Sequence, residues 1–238
     1  MKKAIIIGAT SGIGRELAII LVGNNYKVGI TGRREQLLTE LKDLKPDSFV
    51  ILAFDVTALN KIPQLLQQLV DDLGGLDLLI YSSGTGKINP ALDNGIENYT
   101  NEVNVAGFTA VADWAFNFFE QQGHGHLASI TSIAGIRGSR QAPAYFASKA
   151  YQINYLQGLN QKAKRLNLPI YITDIRPGFV KTAMAAGDDL FWVAPVEKAS
   201  KQIYNALKSK RNVVYITKRW RVIAFLMRLL PRFFYNKL

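Results

Sequence analysis

A phenol and an ammonium group stand four residues apart, at Tyr145 and Lys149. In a helix, this spacing puts both side chains on one face. A free tyrosine titrates near a pKa of about 10, and a neighbouring cation favours the phenolate and lowers that value. The pair therefore predicts a group that transfers protons near neutral pH. A tyrosine and a lysine at this spacing are also common as a surface pair, so the pattern needs a context.

Two more polar side chains supply that context. Ser132 stands 13 residues before Tyr145 and directly after the apolar run Leu127–Ile130, and Asn104 falls in a long amphipathic stretch. Ligands of parallel sheets bind at the carboxyl ends of the strands. Ser132 is therefore predicted to lie beside the reacting group of a substrate.

A glycine-rich turn follows the first apolar run, with Gly8, Gly12 and Gly14 at the spacing G-x-x-x-G-x-G. Glycines there let the backbone approach a pyrophosphate, and the free N–H groups of the next helix face its charge. The turn predicts a dinucleotide site; the alternative is a tight turn without a ligand. The residues predicted to contact the nucleotide in this turn are Gly8, Thr10, Ser11, Gly12, Ile13 and Gly14.

Two arginines, Arg33 and Arg34, stand where many NAD sites carry an acidic residue, about 20 residues past the glycines. Guanidinium groups bind a 2′-phosphate through charge-assisted hydrogen bonds, so NADP(H) is favoured over NAD. A solvated basic turn is the alternative. Asp55 and Val56, after the third apolar run, either flank the adenine or cap the next segment.

Short β-like runs alternate with amphipathic helical stretches along the whole chain. The predicted strands are Ala4–Ile7, Val28–Thr31, Phe49–Ala53, Leu76–Tyr81, Leu127–Ile130, Ile170–Ile175 and Val213–Ile216. The predicted helices are Ile13–Val22, Arg34–Leu44, Ile62–Leu73, Glu97–Gln122, Ala144–Leu166 and Pro195–Ser209. This alternation predicts one α/β domain, a doubly wound parallel sheet of about seven strands with helices on both faces.

Composition narrows the function classes. The 238 residues include no cysteine, so disulfides and a cysteine nucleophile are excluded. The formal net charge is +11, and six basic residues and no acidic one fall within residues 218–238. The rest of the chain is only mildly basic, which argues against nucleic-acid binding. No apolar run is long enough for a membrane span, and we expect a cytoplasmic protein.

Taken together, these motifs resemble the classical short-chain dehydrogenases/reductases. The resemblance covers residues 4–182, in the family's order and spacing. Its motifs are the Gly8–Gly14 turn, Asn104, Ser132, the Tyr145 and Lys149 pair, and Pro177-Gly178 followed by Val180 and Thr182. It implies a Rossmann-type fold over residues 1–217 and hydride transfer between NADP(H) and a ketone, aldehyde or alcohol. The alternative is a non-catalytic NADP(H)-binding sensor or scaffold on the same fold.

The resemblance also implies residue roles. Tyr145 would donate a proton to the substrate carbonyl oxygen, and Ser132 would hydrogen-bond that oxygen. Lys149 would contact the nicotinamide ribose and lower the tyrosine pKa, and Asn104 would hold a water that links Lys149 to solvent. Thr182 would meet the nicotinamide carboxamide. The cofactor positions that complete the set are Gly84, Pro177, Gly178 and Val180.

Two positions depart from the family pattern. Ile7 stands where the family usually has Thr, so a hydrogen bond of the glycine turn is in question. After the fourth strand the family usually shows Asn-Asn-Ala-Gly, whereas residues 81–84 read Tyr-Ser-Ser-Gly. Gly84 keeps its place, but the bonds that bridge the sheet there must be made differently.

Residues 178–194 and 218–238 carry the remaining features. The first segment would form a substrate lid, whose Met184, Leu190, Phe191 and Trp192 favour a hydrophobic substrate such as a 3-oxoacyl thioester or a bulky ketone, or else simply pack. The second is an apolar tail with spaced arginines in which Pro231 should end any helix. It would pack on its own protein, lie on an anionic membrane, or recruit an acidic partner such as an acyl carrier protein.

Two predictions concern metals and assembly. His124 and His126 have no third ligand nearby, so we expect no metal, and the segment is interpreted as the loop before the fifth strand. In the family, the helices that carry Asn104 and Tyr145 commonly form a dimer interface. The aromatic side chains of the stretch Glu97–Gln122 therefore fit a homodimer or homotetramer.

Overall fold

The computed structural model describes residues 1–184 and 191–236. Part of the predicted lid, including Leu190, lies outside the described residues. The described chain forms one seven-stranded parallel sheet in the order β3-β2-β1-β4-β5-β6-β7. The strands are β1 Lys2–Ile7, β2 Tyr26–Gly32, β3 Phe49–Ala53, β4 Leu78–Tyr81, β5 Gly125–Ile130, β6 Ile170–Pro177 and β7 Val213–Ile216.

Helices connect these strands, and further helices follow the last strand. They are α1 Gly12–Gly23, α2 Glu35–Asp43, α3 Ile62–Leu73, α4 Asn94–Asn101, α5 Phe108–Gln122, α6 Pro143–Leu166, α7 Val196–Lys208, α8 Arg219–Leu229 and α9 Arg232–Tyr235. Short 3-10 turns lie at Pro46–Ser48, Leu59–Lys61 and Ile133–Ile136. The predicted helix end at Pro231 is confirmed, because α8 ends before it and α9 begins after it.

Strand β1 shows why the sheet must be covered on both faces. Its side chains alternate: Ala4 and Ile6 join one buried cluster, and Ile5 and Ile7 join the other. The first cluster contains residues of α1, α2 and α7, and the second contains residues of α3, α5 and α6. The predicted doubly wound α/β domain is therefore confirmed. The strand order reverses between β1 and β4, which is where such sheets open a ligand crevice.

The structure corrects three local predictions. The stretch predicted as one helix, Glu97–Gln122, consists of α4, a π-helical turn at Glu102–Gly107 and α5. The strand predicted from Leu76 begins at Leu78. His126, predicted to lie in a loop, is buried within β5, where its ring bonds the Thr173 hydroxyl at 2.8 Å.

Candidate active site

Hydrogen bonds and close backbone contacts hold the glycine turn in a tight conformation. The amides of Gly8 and Ala9 both donate to the carbonyl oxygen of Thr31, at 3.1 and 2.8 Å. A β-carbon at Gly14 would lie 2.1 Å from the carbonyl oxygen of Gly8. Any side chain at that position would therefore force the turn apart. Gly12 has a φ of +58°, a left-handed conformation that favours glycine.

Of the two arginines, Arg34 contacts this turn and Arg33 does not. The Arg34 guanidinium donates to the hydroxyls of Thr10, at 2.7 Å, and Ser11, at 2.9 Å. Arg33 donates to the Tyr99 hydroxyl and lies 3.7 Å from a carboxylate oxygen of Asp55. The Arg34 guanidinium and the two small hydroxyls thus form a polar cluster at the rim of the turn, whereas Arg33 is held by Tyr99 and Asp55.

Asp55 and Val56, the predicted adenine-side residues, follow β3 and make contacts within the chain itself. The Asp55 carboxylate accepts from the Thr57 amide at 3.0 Å, which is the capping role. Val56 is buried in the core, and a β-carbon at Gly107 would lie 2.8 Å from its carbonyl oxygen. The Val56 side chain therefore packs under the π-helical turn.

The residues predicted to transfer protons converge where β4, β5 and α6 meet. Tyr145 lies in the first turn of α6, and the Ser132 hydroxyl hydrogen-bonds the Tyr145 phenol. The Lys149 ammonium lies 6.0 Å from the centre of the Tyr145 ring. A β-carbon at Gly86 would lie 2.4 Å from that ring, so the loop after β4 packs directly on the phenol. The sequence analysis missed Gly86 because nothing in its spacing links it to α6.

The Lys149 ammonium is buried and held by two oxygens. It donates to the Ile130 carbonyl at 3.0 Å and to the Gln152 side-chain oxygen at 2.9 Å. Burial lowers the pKa of Lys149 to about 8, although the carboxylate of Asp174 acts in the opposite direction. Asp174 itself pairs with Arg176 at 2.5 Å. Lys149 therefore keeps its charge at neutral pH and loses it as the pH rises through about 8.

Gln152 connects this lysine to Asn104. The Gln152 side-chain amide donates to the Asn104 carbonyl oxygen at 2.8 Å while its oxygen accepts from Lys149. The Asn104 side chain accepts from the Thr85 amide at 2.9 Å and donates to the Thr85 carbonyl at 2.7 Å and the Ser148 hydroxyl at 3.0 Å. Gln152 thus links the Lys149 ammonium to the Asn104 carbonyl oxygen directly. The sequence could have indicated Gln152, because it is a polar residue on the buried face of α6.

The tyrosine pKa differs from the sequence-based expectation. Burial raises the pKa of Tyr145 above its usual value, and the hydrogen bond with Ser132 only partly opposes that rise. The expected lowering by Lys149 is therefore wrong for the chain alone. The physical reason is that burial desolvates the phenolate and so favours the neutral phenol.

Residues after β6 close the opposite side of the crevice. A β-carbon at Gly12 would lie 3.1 Å from the Thr182 methyl group, so Thr182 faces the glycine turn. Val180 is buried and pairs with Ala194 in an isolated bridge, which ties the two ends of the predicted lid together. Gly84 lies across from them, where a β-carbon would be 3.5 Å from both the Asn104 side-chain oxygen and the Lys149 ammonium.

Two hydrogen bonds connect the segments in which the sequence departs from the family pattern. The Ser82 amide donates to the Ile7 carbonyl at 2.8 Å, which bridges β4 to β1. The Tyr81 hydroxyl donates to the Val103 carbonyl at 2.7 Å and so ties β4 to the π-helical turn. A phenol thus makes a sheet-to-helix connection at the position where the family usually has an amide.

The C-terminal tail packs on this side of the molecule. The amide of Gly178, directly after Pro177, donates to the Ile216 carbonyl at 2.8 Å. A β-carbon at Gly178 would lie 2.1 Å from the indole of Trp220, a residue of α8 that is 2% exposed. The Trp220 ring also contacts those of Phe179, Phe191 and Trp192, with centres 5.3–5.9 Å apart.

The far end of the tail is held by Arg137. Its guanidinium donates to the carbonyls of Met227, at 2.8 Å, and Leu230, at 2.5 Å. These carbonyls belong to the last turn of α8 and the residue after it, where helix carbonyls lack helical partners. The Tyr235 hydroxyl donates to the Gly138 carbonyl. The tail is therefore anchored at both ends to the domain that carries the site.

Two negative findings apply to residues 1–184 and 191–236. No group of three or more acidic, histidine or cysteine side chains is placed there to hold a metal ion. No helix in those ranges has both the length and the apolar character to cross a membrane.

Comparison with known proteins agrees with the fold and with the motifs. Residues 2–190 match the family model for short chain dehydrogenase. An uncharacterized oxidoreductase of Staphylococcus aureus (strain USA300) is 31% identical over 225 residues, which cover 92% of this chain and 96% of the relative. An uncharacterized oxidoreductase of Mycobacterium tuberculosis (strain H37Rv) is 30% identical over 78% of this chain and 76% of the relative.

Solved structures show the same fold at lower identity. A short chain dehydrogenase/reductase from Burkholderia phymatum in complex with NAD has a TM-score of 0.85 at 17% identity, and covers 94% of this chain and 92% of its own. ElxO with NADP bound has a TM-score of 0.79 at 21% identity, and covers 90% of this chain and 96% of its own. The chain is a member of the short-chain dehydrogenase/reductase family, an oxidoreductase with a single Rossmann-type domain.

Proposed function

We propose that this protein is an NADP(H)-dependent reductase of ketones or aldehydes, which also oxidises the matching alcohols. The observation that carries the proposal is the convergence of Tyr145, Ser132, Lys149 and Asn104 at the carboxyl ends of β4 and β5. A protein that only binds a nucleotide has no need of this set. The bound cofactor would supply the hydride during reduction and accept it during oxidation.

The chain's own residues would handle the proton. Tyr145 donates its phenolic proton to the substrate oxygen as the carbonyl becomes an alcohol. Ser132, already bonded to that phenol, stabilises the same oxygen and orients it. Lys149 stabilises the phenolate that remains, and Gln152 and the Ile130 carbonyl hold its ammonium in place. Asn104 fixes the loop after β4 through both of its bonds to Thr85.

Preference for NADP(H) is supported by Arg33 and Arg34. Arg34 already bonds two hydroxyls of the glycine turn, so its guanidinium is positioned where the adenosine ribose would lie. Arg33 is 61% exposed and so able to turn toward a 2′-phosphate. The two guanidinium groups are unsuited to the 2′-hydroxyl of NAD, because an acidic side chain binds that hydroxyl better.

A hydrophobic substrate is supported by the aromatic cluster beyond Gly178. Phe179, Phe191, Trp192 and Trp220 pack edge to face or tilted against each other, and the first three belong to the predicted lid. Such a wall suits a 3-oxoacyl thioester or a bulky ketone. The protein would work in the cytoplasm as a homodimer or homotetramer.

The proposal is tested by titrating NADPH and NADH into the wild type and into Arg33→Ala/Arg34→Ala. We expect the double variant to bind NADPH about 10- to 100-fold more weakly, because two charge-assisted hydrogen bonds are lost. Its NADH affinity should change little. Oxidation of NADPH against a panel of carbonyl compounds then identifies substrates. Failure of the wild type to bind either nucleotide would overturn the proposal.

A further inference from the structure

Helix α8 is apolar on two opposite sides. Its inner side contains Trp220, Ile223, Ala224 and Met227, which follow the three- and four-residue spacing of one helix face. Trp220 and Ala224 are almost fully buried. This inner side accounts for the packing of the tail on the domain, and it leaves the other side of the helix unexplained.

The outer side of α8 is formed by Val222, Phe225, Leu226 and Leu229. Their spacing places them on one stripe, and each is 55–63% exposed. Phe234 in α9 is also exposed. Single exposed apolar side chains are common, but a contiguous stripe of large ones marks an interaction surface. We call these five residues the outer tail face.

Positive charge surrounds the outer tail face. Arg221 and Arg228 are seven residues apart and lie on one flank of α8, and Arg232 begins α9. Residues 218–236 contain no acidic side chain. At the start of α8, Lys218 and Arg219 line a groove of about 580 Å³ whose lining has four cationic residues and no carboxylate. Any occupant of this surface must therefore be anionic as well as apolar.

Charge argues against a second copy of the chain as that occupant. A two-fold dimer would bring the same patch on both subunits together. The arginines of the two copies would then face each other across an apolar contact with no acid in either tail. An anionic lipid surface satisfies both requirements, since its headgroups neutralise arginines while its acyl region accepts the apolar stripe.

We infer that the outer tail face docks on an anionic membrane, with α8 lying flat in the headgroup region. The inference is independent of the proposed function, because it rests only on the exposure and charge of residues 218–236. Long arginine side chains beside the stripe reach the phosphates while Phe225 and Leu229 enter the acyl boundary. The anchoring of the tail by Arg137 and Trp220 presents the outer tail face without unfolding it.

Co-sedimentation of the full chain with lipid vesicles tests this inference. The vesicles contain phosphatidylcholine alone or phosphatidylcholine with phosphatidylglycerol, at low and at high NaCl. We expect binding only to the vesicles with phosphatidylglycerol, and a large loss of binding at high salt. Equal binding to both kinds of vesicle, or to neither, would overturn the inference.

Two pairs of variants locate the binding surface. Arg221→Gln/Arg228→Gln should weaken partitioning about 25-fold, at about fivefold for each arginine. Lys201→Gln/Lys208→Gln removes the same charge at the same spacing on α7 and should leave partitioning within about twofold of the wild type. Phe225→Glu/Leu229→Glu should abolish binding, whereas Leu44→Glu/Leu59→Glu, which changes exposed leucines elsewhere, should not.

Other outcomes assign the surface differently. If the α7 control weakens binding as much as the arginine pair, net charge alone drives adsorption and the inference fails. If Phe225→Glu/Leu229→Glu instead converts an oligomer to a monomer in gel filtration, the outer tail face is a subunit interface. NADPH titration of the same four double variants without lipid separates membrane binding from the proposed function. The proposed function predicts that all four bind NADPH with unchanged affinity.

Discussion

At the scale of single residues, the role proposed for Tyr145 depends on its neighbours. Burial raises its pKa, and the Ser132 hydroxyl supplies the opposing influence from the chain. A protonated phenol suits the reductive direction, in which the group must donate a proton. The oxidative direction requires the phenolate and therefore a higher pH.

Replacement of the phenol separates binding from chemistry. We expect Tyr145→Phe to lower kcat by about 100- to 10,000-fold, the usual contribution of general acid–base catalysis, and to leave NADPH affinity within about threefold. Steady-state kinetics and fluorescence titration measure the two effects. A variant that keeps full turnover would exclude Tyr145 as the acid. If the wild type binds NADPH but turns over no carbonyl, the chain is a sensor or scaffold.

Gln152 should set the alkaline limit of activity. Lys149 has a pKa of about 8, so its ammonium is present below that pH and is lost above it. Gln152→Leu removes one of the oxygens that favour the ammonium, so the alkaline limb of the kcat/KM profile should move to lower pH. Gln152→Glu adds a negative charge and should move the limb to higher pH. Shifts in the same direction for both variants would show that Gln152 acts only through packing.

At the scale of elements, the tail makes a close contact where α8 packs on the Pro177-Gly178 turn. The Trp220 indole is buried, and its N–H has no hydrogen-bond partner among the described residues. We expect Trp220→Ala to lower the free energy of unfolding by about 3 kcal/mol, because it opens a cavity in a well-packed cluster.

The matched control is Trp220→Phe. It keeps most of the ring packing and removes a buried donor without a partner, so it should cost about 1 kcal/mol or less. Urea unfolding followed by circular dichroism compares the two. If both variants are as stable as the wild type, the tail contributes no stability to the domain.

The regular elements could be predicted from the sequence because their signals are local. β3, β7 and α3 begin and end where the apolar runs indicated, since a polar residue or a glycine lies next to most of their ends. The π-helical turn that holds Asn104 could not be predicted, because it depends on contacts with Val56 and Gln152 rather than on local spacing. His126 was misplaced because Gly123 and Gly125 shortly before it suggested a loop.

The candidate site also has a part that could be predicted from the sequence and a part that could not. The positions of Ser132, Tyr145 and Lys149 follow from strand ends and helix spacing, so the sequence was sufficient to bring them together. Gly86 and Trp220 join the site through close contacts between segments that are far apart along the chain. No periodicity encodes such contacts. The raised pKa of Tyr145 could not be predicted either, because burial is a property of the folded chain.

At the scale of the whole molecule, helices α5 and α6 present an aromatic surface. Trp114 stacks on Phe118 at 5.2 Å, and Tyr151 stacks on Tyr155 at 5.5 Å. All four side chains are partly exposed. A surface of this kind fits the homodimer implied by the family resemblance.

A single charge on this surface tests the assembly. We expect Phe118→Asp to shift the protein from dimer to monomer in gel filtration and analytical ultracentrifugation, because a buried unpaired carboxylate at an interface is costly. Leu44→Asp, on an exposed position of another surface, is the control and should keep the wild-type mass. A wild type that is monomeric at all concentrations would contradict the prediction.

The contact between Gly178 and Trp220 also bears on the order in which the chain folds during synthesis. Trp220 lies 42 residues after Gly178 along the chain, yet its indole packs against the turn that follows β6. Earlier segments of a chain begin to fold while later ones are still being synthesised. The segments that carry Asn104, Ser132, Tyr145 and Lys149 are therefore made before the helix that completes the wall beside this turn.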